Sequence, residues 1–199
     1  ASEPLQVVND ALGYTIKIAI DSFTYEYNNN ISQFVGYPLF QQMEGNQQQQ
    51  QVWDVNRSVA YKGSQLNFMR SLYRKSLKED GFEIQFLIKV NDNDSALVVK
   101  NMYGALNYVK DDSTNTVEFK PNQPDVIVIY KKEKPEANYL ATDANAKKNV
   151  QVSTMTVASS EGIVIEENGY YFDQADLTTN GYWAYKKIAD LLPYDYVPQ

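Results

Sequence analysis

The 199-residue sequence contains no cysteine and no histidine. The first absence rules out disulfides, thiolate nucleophiles and cysteine-held metals. The second removes the imidazole that serves as base in Ser-His-Asp and Cys-His mechanisms. No stretch approaches the ~20 consecutive apolar residues of a membrane helix. The opening Ala1-Ser2-Glu3-Pro4 has neither the basic head nor the apolar run of a signal peptide. Positive charge is scarce too: 18 Lys and Arg stand against 25 Asp and Glu, for a net charge of −7. That balance argues against the basic stripe of a duplex-binding protein. The expectation is therefore no metal, no cofactor, no nucleic-acid partner, no membrane span in this chain and no catalytic residue.

What is present is material for a core. Hydrophobic residues make up 43% and aromatics 13% of the chain, and a chain of this length buries roughly 70% of its unfolded surface. No internal repeat and no Pro/Gly/Ser linker divides it, so residues 1–199 are expected to form a single α+β domain. Sixteen tyrosines, with many Asn and Gln, tilt the reading toward an extracytoplasmic bacterial protein.

Tyr14, Ile16, Ile18 and Ile20 alternate with Thr15, Lys17 and Ala19, and the period continues through Phe23, Tyr25 and Tyr27. Asn28-Asn29-Asn30 marks a turn before Ile31 to Tyr37 resumes the period, which predicts an antiparallel meander with one buried face. Gly45–Gln51, with five consecutive glutamines at Gln47–Gln51, reads as a surface loop entering a helix, Val52–Tyr61, in preference to an aggregation or contact tract, because five glutamines is a short run. Lys62-Gly63 breaks that helix. Ser64 is a natural N-cap for a second helix over Gln65–Lys78, stopped by Gly81. Strands are predicted at Phe82–Val90, Ala96–Lys100, Thr116–Lys120, Asp125–Lys131, Val150–Val157 and Ile163–Ile165. Lys131–Lys148 reads as a loop with a short helical turn. Asn168-Gly169 signals a hairpin to Tyr170–Phe172, because both residues accept positive φ. A last helix is expected over Tyr182–Leu192, before Pro193. The meander and the later strands are expected to share one antiparallel sheet, with the two central helices and the C-terminal helix on one face.

Two stretches carry a family likeness. One is Arg57-Ser-Val-Ala60-Tyr61-Lys-Gly63-Ser64-Gln-Leu-Asn67-Phe68-Met-Arg70-Ser-Leu72-Tyr73, followed by Glu79-Asp80-Gly81-Phe82. The other runs Ile165-Glu-Glu-Asn168-Gly169-Tyr170-Tyr171-Phe172-Asp173, then Gly181-Tyr182-Trp183, then Ala189-Asp190-Leu191-Leu192-Pro193-Tyr194-Asp195-Tyr196. With Gly36-Tyr37-Pro38-Leu39-Phe40 at the front, the chain resembles the C-terminal module of the secreted carboxypeptidase-like regulatory domain-containing proteins of the Bacteroides group. The likeness is weakest over about Asn91–Lys148. It implies an upstream signal peptide and a regulatory β-sandwich that this chain does not include. Where such modules usually carry His in the run Gly-Ser-x-x-His-Phe-x-Arg, this chain has Asn67. The label "carboxypeptidase" describes the sandwich. Zinc carboxypeptidases hold their metal with two His and a Glu, and this chain has no His to offer.

Two groups of side chains stand out. Arg57, Tyr61, Ser64 and Arg70 would form an anion or partner site if the two helices pack as a hairpin, with guanidiniums beside free N–H groups. The commoner use of such arginines is to lock helices to a sheet. Tyr170, Tyr171, Tyr182 and Trp183, with Phe172 and Tyr185, would make an aromatic platform for a sugar or peptide; the alternative is that Trp183 packs in the core. Asp92-Asn93-Asp94-Ser95 lacks the later ligands of a calcium loop. The resulting expectation is a non-enzymatic interaction module of a secreted or cell-envelope protein, located in the periplasm, at the outer-membrane surface or outside the cell. It would bind a protein, peptide or glycan partner of the envelope. A carboxylate-only hydrolase of the glycosidase kind and a structural spacer stand as alternatives.

Overall fold

The computed structural model describes residues 3–26, 31–91, 93–186 and 188–198. The predicted turn at 28–30 and the first residue of the Asp92–Ser95 segment lie outside them. Among the described residues, eleven strands in three antiparallel sheets and six helices make an α+β protein, as the pattern predicts. Contacts group the chain into two compact units, Ala1–Ala60 with Ala189–Gln199, and Tyr61–Ile188. No linker announces the division, because it falls inside a helix.

In the smaller unit, β1 (Leu5–Asn9), β2 (Tyr14–Glu26) and β3 (Ile31–Gln42) form the predicted meander, in the order β1-β2-β3. Tyr14, Ile16 and Ile18 are buried on one face. The register shifts between Ile20 and Ser22, so one extra residue bulges the long strand. The turn between β1 and β2 closes through Gly13 N–H to the Asn9 carbonyl, at 2.8 Å, with Gly13 at φ 68°.

Helix α1 (Gln47–Tyr61) begins earlier than predicted. The glutamine run is its first turn and not a loop. Asn46 Oδ1 accepts from the Gln49 N–H and Gln49 Oε1 accepts from the Asn46 N–H, each at 2.9 Å. This reciprocal capping box uses the amide side chains that made the segment look like a polar loop. Trp53 anchors the helix by donating from Nε1 to the Asp10 carbonyl at 2.8 Å. Its ring fills a notch between two glycines: a Cβ on Gly13 would stand 2.2 Å from the ring and one on Gly45 2.5 Å.

In the larger unit, Ser64 caps α2 (Gln65–Tyr73), its Oγ accepting from Asn67 N–H at 3.1 Å. The predicted helix to Lys78 is two helices. Lys75 takes the left-handed conformation (φ 56°), Lys75 N–H bonds the Leu72 carbonyl, and Ser76 N–H bonds the Ser71 carbonyl. That pair of bonds closes a Schellman stop built on lysine in place of glycine, which leaves no sequence signature. Helix α3 (Leu77–Asp80) then ends at Gly81, φ 94°.

The strands β4 (Phe82–Val90) and β5 (Asn93–Val98) follow as a hairpin, then α4 (Met102–Ala105), β6 (Val109–Asp111), β7 (Thr116–Phe119) and β8 (Asp125–Tyr130). Helix α5 (Ala137–Thr142) is the short turn expected in the charged loop, and β9 (Gln151–Val157), β10 (Ile163–Glu166), β11 (Leu177–Gly181) and α6 (Tyr182–Lys186) complete the unit. One sheet has the order β11-β9-β8-β4-β5 and the other β10-β7-β6. The single shared sheet is therefore corrected to three. Strand pairing is non-local, and alternation within a strand does not name its neighbour.

Phe68 of α2 packs edge-on against Phe82 of β4 (centroids 5.4 Å apart) and tilts against Trp183 of α6 (5.5 Å). Helix α6 is shorter than the predicted Tyr182–Leu192. A 3₁₀ turn, Ile188–Asp190, follows it where the chain leaves the larger unit. In the turn after β10, Gly169 takes positive φ (87°) and Asn168 does not, with Gly169 N–H bonded to the Glu166 carbonyl and Glu166 N–H to that of Tyr170. The hairpin is thus a type I turn with a glycine bulge, and Asn168 keeps ordinary φ.

Gly63 sits between α1 and α2 at φ 73°; a Cβ there would lie 2.3 Å from Gln151 Oε1 and 2.5 Å from the Tyr130 ring. Gln151 Oε1 is buried without a hydrogen-bond donor. Gly63→Ala is expected to lower stability by about 2–4 kcal/mol, from steric overlap and positive φ together. Urea unfolding of the variant beside the parent protein measures it; a loss within 0.5 kcal/mol would show that this corner has room to relax.

Candidate functional site

Arg57 lies on the inner side of α1, 5% exposed. Its Nε donates to the Leu12 carbonyl at 2.7 Å and Nη2 to the Gly13 carbonyl at 3.3 Å. Nη1 stands 3.5 Å from Asp54, and the guanidinium lies over the Tyr14 ring, 4.2 Å from its centroid. The cation fastens the β1–β2 turn to the helix. Burial raises the Tyr14 phenol above its ordinary range, and the neighbouring Arg57 charge offsets part of that rise.

Tyr61, Ser64 and Arg70 belong to the larger unit. The Arg70 guanidinium lies 5.5 Å from the Tyr61 centroid, and its Nε donates to the Asn168 carbonyl at 2.8 Å. Arg70 is 7% exposed. It holds the hairpin turn of Asn168-Gly169 on α2, where a Cβ on Gly169 would come 2.8 Å from Leu66. Ser64 is occupied as the α2 cap, and the Gly63 carbonyl beside it accepts from Trp183 Nε1 at 2.7 Å. Asn67 is buried, and its carbonyl accepts from Ser71 Oγ at 2.8 Å. The structure brings Tyr61 and Arg70 together, but it points the named guanidinium donors at backbone carbonyls. This is the locking arrangement, not an open anion site.

The four aromatic candidates do not form one exposed platform. Tyr182 and Trp183 are core residues, 4% and 8% exposed. Trp183 N–H donates to Ser153 Oγ at 3.0 Å, and Tyr182 packs edge-on against Tyr139 at 5.1 Å. Tyr170 and Tyr171 are half-buried. Tyr171 accepts from Gln65 Nε2 at 3.3 Å, and Tyr170 meets Phe172 edge-on. An indole beside a hairpin satisfies its N–H by facing inward, as Trp183 does.

The strand register reveals a concavity absent from the sequence reading. The outer face of the β10-β7-β6 sheet, with Phe172 at its side, borders an open depression of about 770 Å³. Asp111 and Glu166 flank Thr116 there, one on each neighbouring strand. A carboxylate hydrolase would need one of its acids to hold a proton near neutral pH. Asp111 moves the other way: the hydroxyl and N–H of Ser113 hold it below the usual carboxylate range. Among the described residues, no group of three or more carboxylates is placed to hold a metal ion.

A second surface lies on the smaller unit. By register, Val8, Tyr37 and Leu39 share the sheet face opposite Tyr14, Ile16 and Ile18, and they are 56%, 58% and 68% exposed. The signal was present in the sequence: β3 is apolar on both phases of its alternation, through Tyr37, Leu39 and Phe40. Comparison of the chain with protein-family models, with curated proteins and with solved structures finds no match.

Removing either buried guanidinium strands backbone carbonyls. Arg57→Met and Arg70→Met are each expected to cost about 1–3 kcal/mol, read as a lower thermal midpoint. A variant that melts like the parent would sink the locking role. Burial also raises Tyr130 to about 12, and Tyr103, Tyr108, Tyr139 and Tyr171 above their ordinary range. These phenols hold their protons more tightly folded than unfolded. Stability should therefore be intact below pH ~10 and fall between pH ~10 and ~12, as ionisation begins to favour the unfolded chain. Thermal midpoints across that range, alongside the phenolate absorbance, test the sign; a flat profile would contradict it.

Proposed function

We propose that this chain is a non-enzymatic interaction module of a secreted or cell-envelope bacterial protein, docking its partner on the open face of the β1-β2-β3 sheet. The resemblance to the C-terminal module of carboxypeptidase-like regulatory domain-containing proteins and the tyrosine-rich composition support the compartment. One observation carries the binding surface: Tyr37 and Leu39 on β3 stand exposed on one face of a sheet whose other face is already buried, and Val8 is exposed on that same face two strands away on β1. Most large apolar side chains that stand exposed belong to this unit, among them Phe23 on β2 and Val52, Val55 and Val59 on α1. Burying one such side chain against a partner is worth roughly 1.5–3 kcal/mol, and grouped exposure of this kind marks interaction surfaces.

The arginine group lends no support to an anion-binding reading, because Arg57 Nε and Nη2 and Arg70 Nε already donate to backbone carbonyls. A spacer would explain those locked arginines equally well, but it gives no reason for an apolar outer face. The Tyr37→Ser/Leu39→Ser variant, immobilised beside the parent protein and exposed to the envelope fraction of the source cell, is expected to lose the captured partner. Its thermal midpoint should stay within about 2 °C, since exposed side chains carry little folding energy. Val98→Ser, an exposed apolar position in the larger unit, is expected to keep capture. Equal capture by all three proteins would remove the sheet face from consideration.

A further inference from the structure

The charge of the chain is concentrated in the smaller unit. Its residues hold eight carboxylates against two cations, so −6 of the chain's −7 falls there. One of the two cations, Arg57, is buried and spent on the Leu12 and Gly13 carbonyls. Lys17, on the open face beside Leu39, is the one exposed cation among the unit's described residues. Four of the eight acids lie along the sheet or at its strand ends, and by register Glu26, opposite Ile31, falls at the far end of the open face itself. Glu3 precedes β1, Asp10 lies in the β1–β2 turn, Asp21 is at the bulge and Glu26 ends β2. Strand β3 carries no charge along its length. The unit thus presents exposed apolar side chains on the outer strands of the sheet, with Lys17 on the strand between them, inside an acidic periphery.

Resting on the docking face proposed above, the geometry points to the chemistry of the occupant: a protein surface with apolar side chains at its centre and lysine or arginine at its edge. Rim charges of one sign speed the encounter with the opposite sign and reject like-charged surfaces. A second copy of this chain would set acidic rim against acidic rim. An anionic bilayer or a nucleic acid would be repelled in the same way. A neutral glycan would draw nothing from the rim. A cationic, apolar protein surface uses both features at once.

Three labelled decapeptides of one alternating pattern test this with the full chain: Lys/Val, Glu/Val and Ser/Val, followed by fluorescence anisotropy in 0.05 and 0.5 M NaCl. The Lys/Val peptide is expected to bind at least about tenfold more tightly than the Glu/Val peptide. That preference should shrink by about tenfold at the higher salt, where the screening length falls to a few ångströms. Binding should be lost in Tyr37→Ser/Leu39→Ser, and slowed in association by Glu3→Gln/Asp21→Asn. If Ser/Val binds as tightly as Lys/Val and is lost in the same variant, the docking face stands and the cationic partner falls. If Lys/Val binding survives in Tyr37→Ser/Leu39→Ser, general attraction to an acidic protein is the cause and the inference is overturned. A dimer in sedimentation that dissolves in that variant would overturn it in favour of a second copy.

Discussion

The larger unit depends on the corner at Gly63-Ser64. The corner must present a carbonyl to the Trp183 indole, leave Ser64 extended to cap α2, and bring its backbone against Gln151 and Tyr130. Only a residue without a side chain meets all three demands at positive φ. The geometry ties the start of α2 to β8, β9 and α6, elements far from it in sequence. Phe68, one turn further along, then reaches both Phe82 and Trp183. The two large aromatic contacts at the heart of the core thus follow from how the chain turns at one glycine.

The buried cations serve the same kind of purpose. Leaving a guanidinium inside a protein is costly unless its donors are used. Arg57 and Arg70 use theirs on the carbonyls of tight turns, whose backbone groups lie outside any sheet ladder. Both arginines also lie over tyrosine rings. Their charge is thereby withdrawn from the surface. In the smaller unit this leaves an acidic exterior almost without positive counterweight, and so a fold-stabilising contact shapes the electrostatics of the open sheet face.

The sequence was legible where the physics is local. Ser64 is a cap because its oxygen reaches a donor three residues on. Gly81 ends α3, and Gly169 makes its turn, for conformational reasons that travel with the residue. The alternation of Tyr14, Ile16 and Ile18 names a buried face wherever the strand is placed. Errors arose where a residue departed from its usual habit. Lys75 holds a left-handed stop that glycine would normally mark, and the glutamines after Asn46 cap a helix in place of forming a loop.

By itself the sequence determined the α+β class, the meander, the strong strands and the absence of imidazole and thiol chemistry, since each of these rests on residue identity or short-range periodicity. Tertiary structure alone decided the three sheets, the two units and where each candidate side chain lies. Arg57 meets its carbonyl 45 residues away and Arg70 98 residues away, and Trp183 finds Gly63 across 120. Whether a cation or an indole faces solvent or core depends on which distant backbone group comes within about 3 Å, and no local pattern in a chain carries that information.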